Sequence, residues 1–155
     1  MSGLNNVDGA SLQFRFMALD VNQVIAVPPD VAFDAMVDVR NEVHWNSKVT
    51  RSELLSDEPI GQGSRFQTVN RGQLYDATIT EYERPTRITF EVTGKQMDIT
   101  TTFTFTENSQ GTALHGEFDF RPKGLLKVIF PLMRPMIRGD LPKQMGSFAA
   151  FCTKD

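Results

Sequence analysis

The spacing of apolar residues along this chain changes twice, and the elements follow from those changes. Over residues 14–27 the pattern is extended, with β-branched Val21, Val24, Ile25 and Val27. Pro28 and Pro29 end that strand, because proline has no N–H for a sheet ladder, and they suit the start of a helix with Asp30 in its first turn. Val31, Phe33, Ala35, Met36 and Val37 predict a short helix with one apolar face, and residues 38–45 a second short helix or turn. From 49 onward the period falls to two. Strands are predicted over 49–55, 65–70 and 74–83, separated by turns at Gly61 and Gly63, at Arg71-Gly72 and at Arg84-Pro85. Residues 87–93 place Ile88, Phe90 and Val92 on one face. Residues 97–106 set Met97, Ile99, Phe103 and Phe105 against Asp98, Thr100, Thr102, Thr104 and Thr106. Residues 112–120 turn Leu114, Gly116, Phe118 and Phe120 inward. Alternation of this kind marks a sheet with one buried face and one wet face, and the short links favour an antiparallel meander.

After Lys123-Gly124 the period lengthens to three or four. Leu126, Ile129, Met133, Ile137, Leu141, Met145, Phe148 and Cys152 form one helical stripe. Pro131, Pro135 and Pro142 fall inside it, and each removes a backbone bond at a cost of about 3 kcal/mol in a helix interior. A break or kink between 131 and 142 is therefore expected, rather than one straight rod. The fold class is α+β: a curved antiparallel sheet of about seven strands around a long C-terminal helix, with two short helices after the first strand. Residues 1–12 read as a loose tail and 13–155 as a single domain. A strongly bent sheet meets such a helix better at its ends and edges than at its middle. A gap lined by inward side chains can remain there, and pockets of that kind are mostly apolar with a few polar groups.

Composition narrows the partners. At 155 residues the chain can bury roughly 68–70% of its unfolded surface without a disulfide or a metal. The net charge of −3 and the absence of a Lys/Arg run argue against nucleic acid. Residues 1–11 lack the basic start and apolar core of a signal peptide, and no stretch reaches the ~20 apolar residues of a membrane span. The expectation is a cytoplasmic protein with no stable membrane insertion. Cys152, the single cysteine, lies on the apolar stripe and reads as a small core residue.

In order and spacing, several segments resemble the START/Bet v 1-like superfamily, in its polyketide cyclase/dehydrase and lipid-transport branch. They are VIAVPPDVAFDAMVDVRNEVHWN (24–46), GQGSRF (61–66), ITEYERPTRITFEVTG (79–94), TTTFTFT (100–106), Gly111-Thr112 and RPKGLL (121–126). The resemblance implies a helix-grip fold with an internal hydrophobic cavity, and it does not by itself imply one function.

The candidate cavity-lining residues are Trp45, Phe66, Phe90, Met97, Phe103, Phe105, Leu114 and Phe118, joined by Met133, Ile137, Leu141 and Met145 from the helix. Each would serve equally in a packed core. With 12 phenylalanines and 7 methionines the chain is richer in adaptable side chains than a tight aliphatic core requires. Trp45 either plugs one end of the sheet or lines the cavity mouth. His44, among Asn41, Glu42 and Asn46, reads as a solvated turn residue, and His115 points with Glu117 and Asp119 to solvent. Two histidines without a third ligand make no metal site, and no cofactor is implied. No serine sits in a G-x-S-x-G elbow. Arg65, Thr68, Asn70, Tyr75, Asp76, Tyr82 and Arg121 are candidates to reach into the cavity, with strand parity ambiguous over 65–82. Residues 125–137 are apolar nearly all round, and serve either as the buried start of the helix or as a mobile gate that touches a membrane or a partner. The leading expectation is a non-enzymatic binding or carrier protein for a small hydrophobic molecule, lipid-like or polycyclic. A cofactor-free polyketide cyclase or dehydratase and an accessory protein-interaction module are the alternatives.

Overall fold

The structure, a computed structural model, describes residues 17–154. The expected tail at 1–12 and the first residues of the predicted first strand lie outside the described residues. Strand β1 spans Met17–Ile25 and is followed by α1 (Pro29–Val37), a 3-10 turn (Val39–Asn41) and α2 (Glu42–Trp45). Six strands follow: β2 (Val49–Leu54), β3 (Arg65–Asn70), β4 (Gln73–Glu83), β5 (Arg87–Gly94), β6 (Met97–Asn108) and β7 (Gly111–Pro122). Helix α3 (Leu126–Cys152) closes the described chain.

The seven strands form one antiparallel sheet in the order β1-β7-β6-β5-β4-β3-β2. Sequence neighbours pair throughout, as short turns dictate, except that β1 and β2 sit at opposite edges. The helical segment between them crosses from one edge to the other, and this crossing places α2 beside the sheet's inner face. The β3–β4 turn is built by Arg71 (φ 51°) and Gly72 (φ 77°), the two left-handed residues that a tight hairpin requires.

The three prolines of α3 do not divide it. The helix runs unbroken over 27 residues, correcting the expected break. Pro131, Pro135 and Pro142 are all exposed and, at spacings of four and seven, share one outward stripe. The carbonyls deprived of a donor therefore face water, which satisfies them, and the cost that would break a buried helix is reduced. The predicted apolar stripe holds in part: Leu141, Met145 and Phe148 are buried and Leu126, Met133, Ile137 and Cys152 partly buried against the core, whereas Ile129 is 50% exposed, because the helix turns that position away from the sheet.

Inside, the sheet's face divides in two. Toward Ile25, Ile88 and Leu114, helix α1 sets Phe33 edge-on to both Tyr82 and Phe105, at ring separations of 5.3 and 5.4 Å. This end is fully packed, with Ile25, Phe33, Ile79 and Ile88 at 0% exposure. The opposite end lies under α3 and is not filled. Among the described residues no helix is long and apolar enough to cross a membrane.

Candidate functional site

The unfilled end holds a cavity of about 340 Å³ between the sheet, α2 and α3, within the size range of small-molecule sites. Its walls differ in chemistry because different strands supply them. On β5, β6 and β7 the inward positions are Phe90, Val92, Met97, Ile99, Phe103, Phe118 and Phe120, interrupted only by Thr101. On β3 and β4 they are Thr68, Asn70, Gln73 and Tyr75, with Ala77 the one apolar member. Register explains the grouping: Thr68 pairs with Tyr75 and Asn70 with Gln73, while Phe90, Thr101 and Phe118 form one cross-strand row. Tyr75 lies over Gly94, where a Cβ would meet the ring at 2.6 Å. Glycine at 94 is therefore what lets the phenol ring lie flat across the neighbouring strand.

Helix α2 adds an acid to the polar wall. Glu42 lines the cavity, and its Oε2 accepts a hydrogen bond from Asn46 Nδ2 at 3.2 Å. Burial in this setting pushes its carboxyl up to about 7, opposed only by that hydrogen bond. Asn46 is itself buried and fixes the turn into β2. Its Oδ1 accepts from the Lys48 N–H at 3.1 Å and its backbone carbonyl accepts from the Val49 N–H at 2.9 Å. Asp38, at the same wall, is the opposite case. The Arg40 guanidinium, bonded to both its oxygens at 2.8 and 2.9 Å, holds it below the usual carboxylate range. Burial raises the Tyr75 phenol. Among the described residues, the hydroxyls of Thr68, Thr101 and Tyr75 find no hydrogen-bond partner, yet none is sealed from solvent-sized space. These groups face the cavity with bonding capacity to spare. At the rim, Arg71 on the β3–β4 turn reaches Asp140 on α3 at 2.7 Å.

Of the twelve residues proposed from sequence, Trp45, Phe90, Met97, Phe103, Phe118, Met133, Ile137, Leu141 and Met145 border this cavity. Phe66, Phe105 and Leu114 do not, which corrects their assignment. Phe105 and Leu114 pair directly across β6 and β7 in the packed end under α1, and Phe66 is fully buried between Leu54 and Ala77. Alternation gives the direction of a side chain, whereas its distance along the strand decides which helix covers it. Trp45 borders the cavity and stands edge-on to Phe148 of α3 at 5.2 Å. Thr68, Asn70 and Tyr75 face in. Asp76 bonds Gln67 and Arg121 bonds Glu91, both along the outer face, while Tyr82 packs on Phe33 and Arg65 is exposed. His44 is exposed and stacks on Phe151, and His115 bonds Asn22. Cys152 is half-buried, and burial pushes its thiol up to about 11. Sequence reasoning missed Glu42, which it grouped with the solvated neighbours of His44. The usable signal was the spacing of Val39, Glu42, Trp45 and Asn46, which puts a carboxylate on the same helical face as the tryptophan.

Residues 18–152 match the family described as polyketide cyclase / dehydrase and lipid transport. The chain belongs to that family. No curated protein matches it. Among solved structures it is similar to TTHA0849 from Thermus thermophilus, with a TM-score of 0.71 at 14% identity over 88% of this chain and 97% of that one. A START superfamily protein from Mycobacterium smegmatis gives 0.71 at 13% identity over 88% and 95%. Ara h 8.0201 gives 0.66 at 13% over 90% and 99%. At these identities the likeness concerns the fold: the helix-grip arrangement of this family is the architecture found here.

Proposed function

We propose that this family member binds a small, mainly apolar molecule with one polar edge in the cavity between sheet and helix. The observation that carries this reading is the division of the walls. An aromatic and aliphatic side on β5–β7 faces a side on α2, β3 and β4 that offers Glu42, Thr68 and Tyr75. A purely apolar guest would leave the Thr68 and Tyr75 hydroxyls without partners, at a cost of about 1–3 kcal/mol for each one dehydrated. A hydroxyl or carbonyl on the guest supplies what they lack. The methionines at 97, 133 and 145 suit a wall that adapts to its guest.

The test is displacement of an environment-sensitive fluorophore by a panel of lipid-like and polycyclic compounds, with native mass spectrometry of protein from its own host. Compounds with one polar edge should compete, and Phe118→Trp, which fills the space, should abolish uptake. A cavity that takes none of the panel and co-purifies with nothing would sink the proposal.

A second reading, a cofactor-free cyclase or dehydratase, is favoured by one observation, the Glu42 carboxyl. An acid held near neutrality inside a largely apolar pocket is suited to take a proton from a carbon next to a carbonyl and to return one to a departing hydroxyl. If this reading holds, Glu42→Gln retains binding and loses turnover of a polyketide-like substrate. If Glu42 serves only as an anchor, the same substitution weakens binding and no wild-type turnover is found.

A further inference from the structure

The first half of α3 has a second apolar face that the fold does not use. Leu125, Val128, Ile129, Leu132 and Met136 are exposed by 87, 75, 50, 83 and 46%. Their spacing of three, four, seven and eleven residues aligns them along one side of the helix. The buried contacts are made by the other side, through Phe130, Met133 and Ile137. One exposed leucine is ordinary, but a contiguous row of five large apolar side chains marks an interaction surface.

Charge identifies the kind of partner. Residues 121–139 contain five cations, Arg121, Lys123, Lys127, Arg134 and Arg138, and no Asp or Glu, in a chain whose net charge is −3. Arg121 and Lys123 are held by Glu91 and Asp98 on the sheet, whereas Lys127, Arg134 and Arg138 have no ion-pair partner among the described residues. Each of these three lies two residues from a member of the row, about 200° round the helix, so they stand on its polar side and not on the apolar face. An anionic lipid surface accepts both sides of such a helix: the apolar row enters the headgroup boundary while the cations of the polar side stay at headgroup level.

We infer that the first half of α3 docks this protein on anionic bilayers, lying in the interface without spanning it. The face also borders the cavity, since Met136 is both exposed and part of its wall. Docking would therefore bring the mouth to the lipid, and this last clause alone rests on the proposed ligand-binding function.

Flotation of the full chain with vesicles tests the inference, comparing phosphatidylcholine alone with phosphatidylcholine plus phosphatidylglycerol. Binding is expected only to the anionic vesicles, with a steep fall as salt is raised. Leu132→Ser should weaken it about tenfold or more, as should the joint reversal Lys127→Glu with Arg134→Glu. Because Leu132 is exposed, its serine variant should keep the wild-type melting temperature and the same ligand uptake in vesicle-free buffer, so that docking and cavity binding fail separately. Absence of flotation, flotation on both vesicle types alike, or flotation untouched by Leu132→Ser overturns the inference. So does a dimer in solution, without vesicle binding, that Leu132→Ser dissociates.

Discussion

The two ends of the sheet's inner face are made from the same alternating residues and reach different results. Under α1, Phe33 enters between Tyr82 and Phe105, and Ile25, Ile79, Ile88 and Leu114 close around it to 1% exposure or less. Under α3, Phe90, Phe103 and Phe118 point inward just as regularly but meet a helix that bridges the gap without filling it. The difference lies in the covering element. Helix α1 is short and fixed close to β1 by Pro28 and Pro29, so it delivers a large side chain straight into the face. Helix α3 rests mainly along β1 and α2 and spans the remaining strands at a distance. Inward pattern and filled volume are thus separate properties.

Paired truncations break this comparison most directly. Phe105→Ala should cost about 3–5 kcal/mol in chemical denaturation, because the packed end cannot collapse around the void. Phe118→Ala, which already borders empty space, should cost about 1.5 kcal/mol or less while changing which ligands compete for the cavity. Equal losses would mean that the cavity end is as tightly packed as the other.

Glu42 offers a pH handle on the open end alone. Its carboxyl is raised in the folded state from an ordinary 4.5 to about 7. The folded protein therefore holds this proton over a range in which the unfolded chain has released it. Stability from this group falls as pH rises from about 4.5 to about 7 and is level above that. Glu42→Gln should match wild type at pH near 4.5 and exceed it by on the order of 2 kcal/mol at pH 8. Urea denaturation across that range decides the matter, and parallel curves for the two proteins would show the carboxyl to be hydrated.

The smallest effect is expected at the rim. Arg71→Ala removes an exposed ion pair with Asp140 and should change stability by about 0.5 kcal/mol or less. Because that pair ties the β3–β4 turn to α3, the same substitution should speed ligand release, read by stopped-flow displacement. An unchanged release rate would indicate that guests leave elsewhere.

Much of this was legible beforehand for a definite reason. Threonines at 100, 102, 104 and 106 set against Phe103 and Phe105 admit only one face for β6, and the same logic holds for β5 and β7. Strands β3 and β4 were ambiguous because their inward residues are themselves polar, Thr68, Asn70, Gln73 and Tyr75, so the contrast that reveals a face is missing. The prolines of α3 misled because propensity treats each as an interior defect, whereas all three occupy the solvent stripe. The short helix α2 was too brief for periodicity to reveal that Glu42 shares a face with Trp45.

The sequence by itself determined the order of the elements, the antiparallel pairing and the direction of most side chains, since these depend on near neighbours and on the periods of helix and strand. Only the tertiary structure decided which inward residues became core and which became wall. It also decided that Glu42 lines the cavity and that a row of apolar residues on α3 stays uncovered. Those outcomes depend on how far one element stands from another, a distance set by packing across the whole fold.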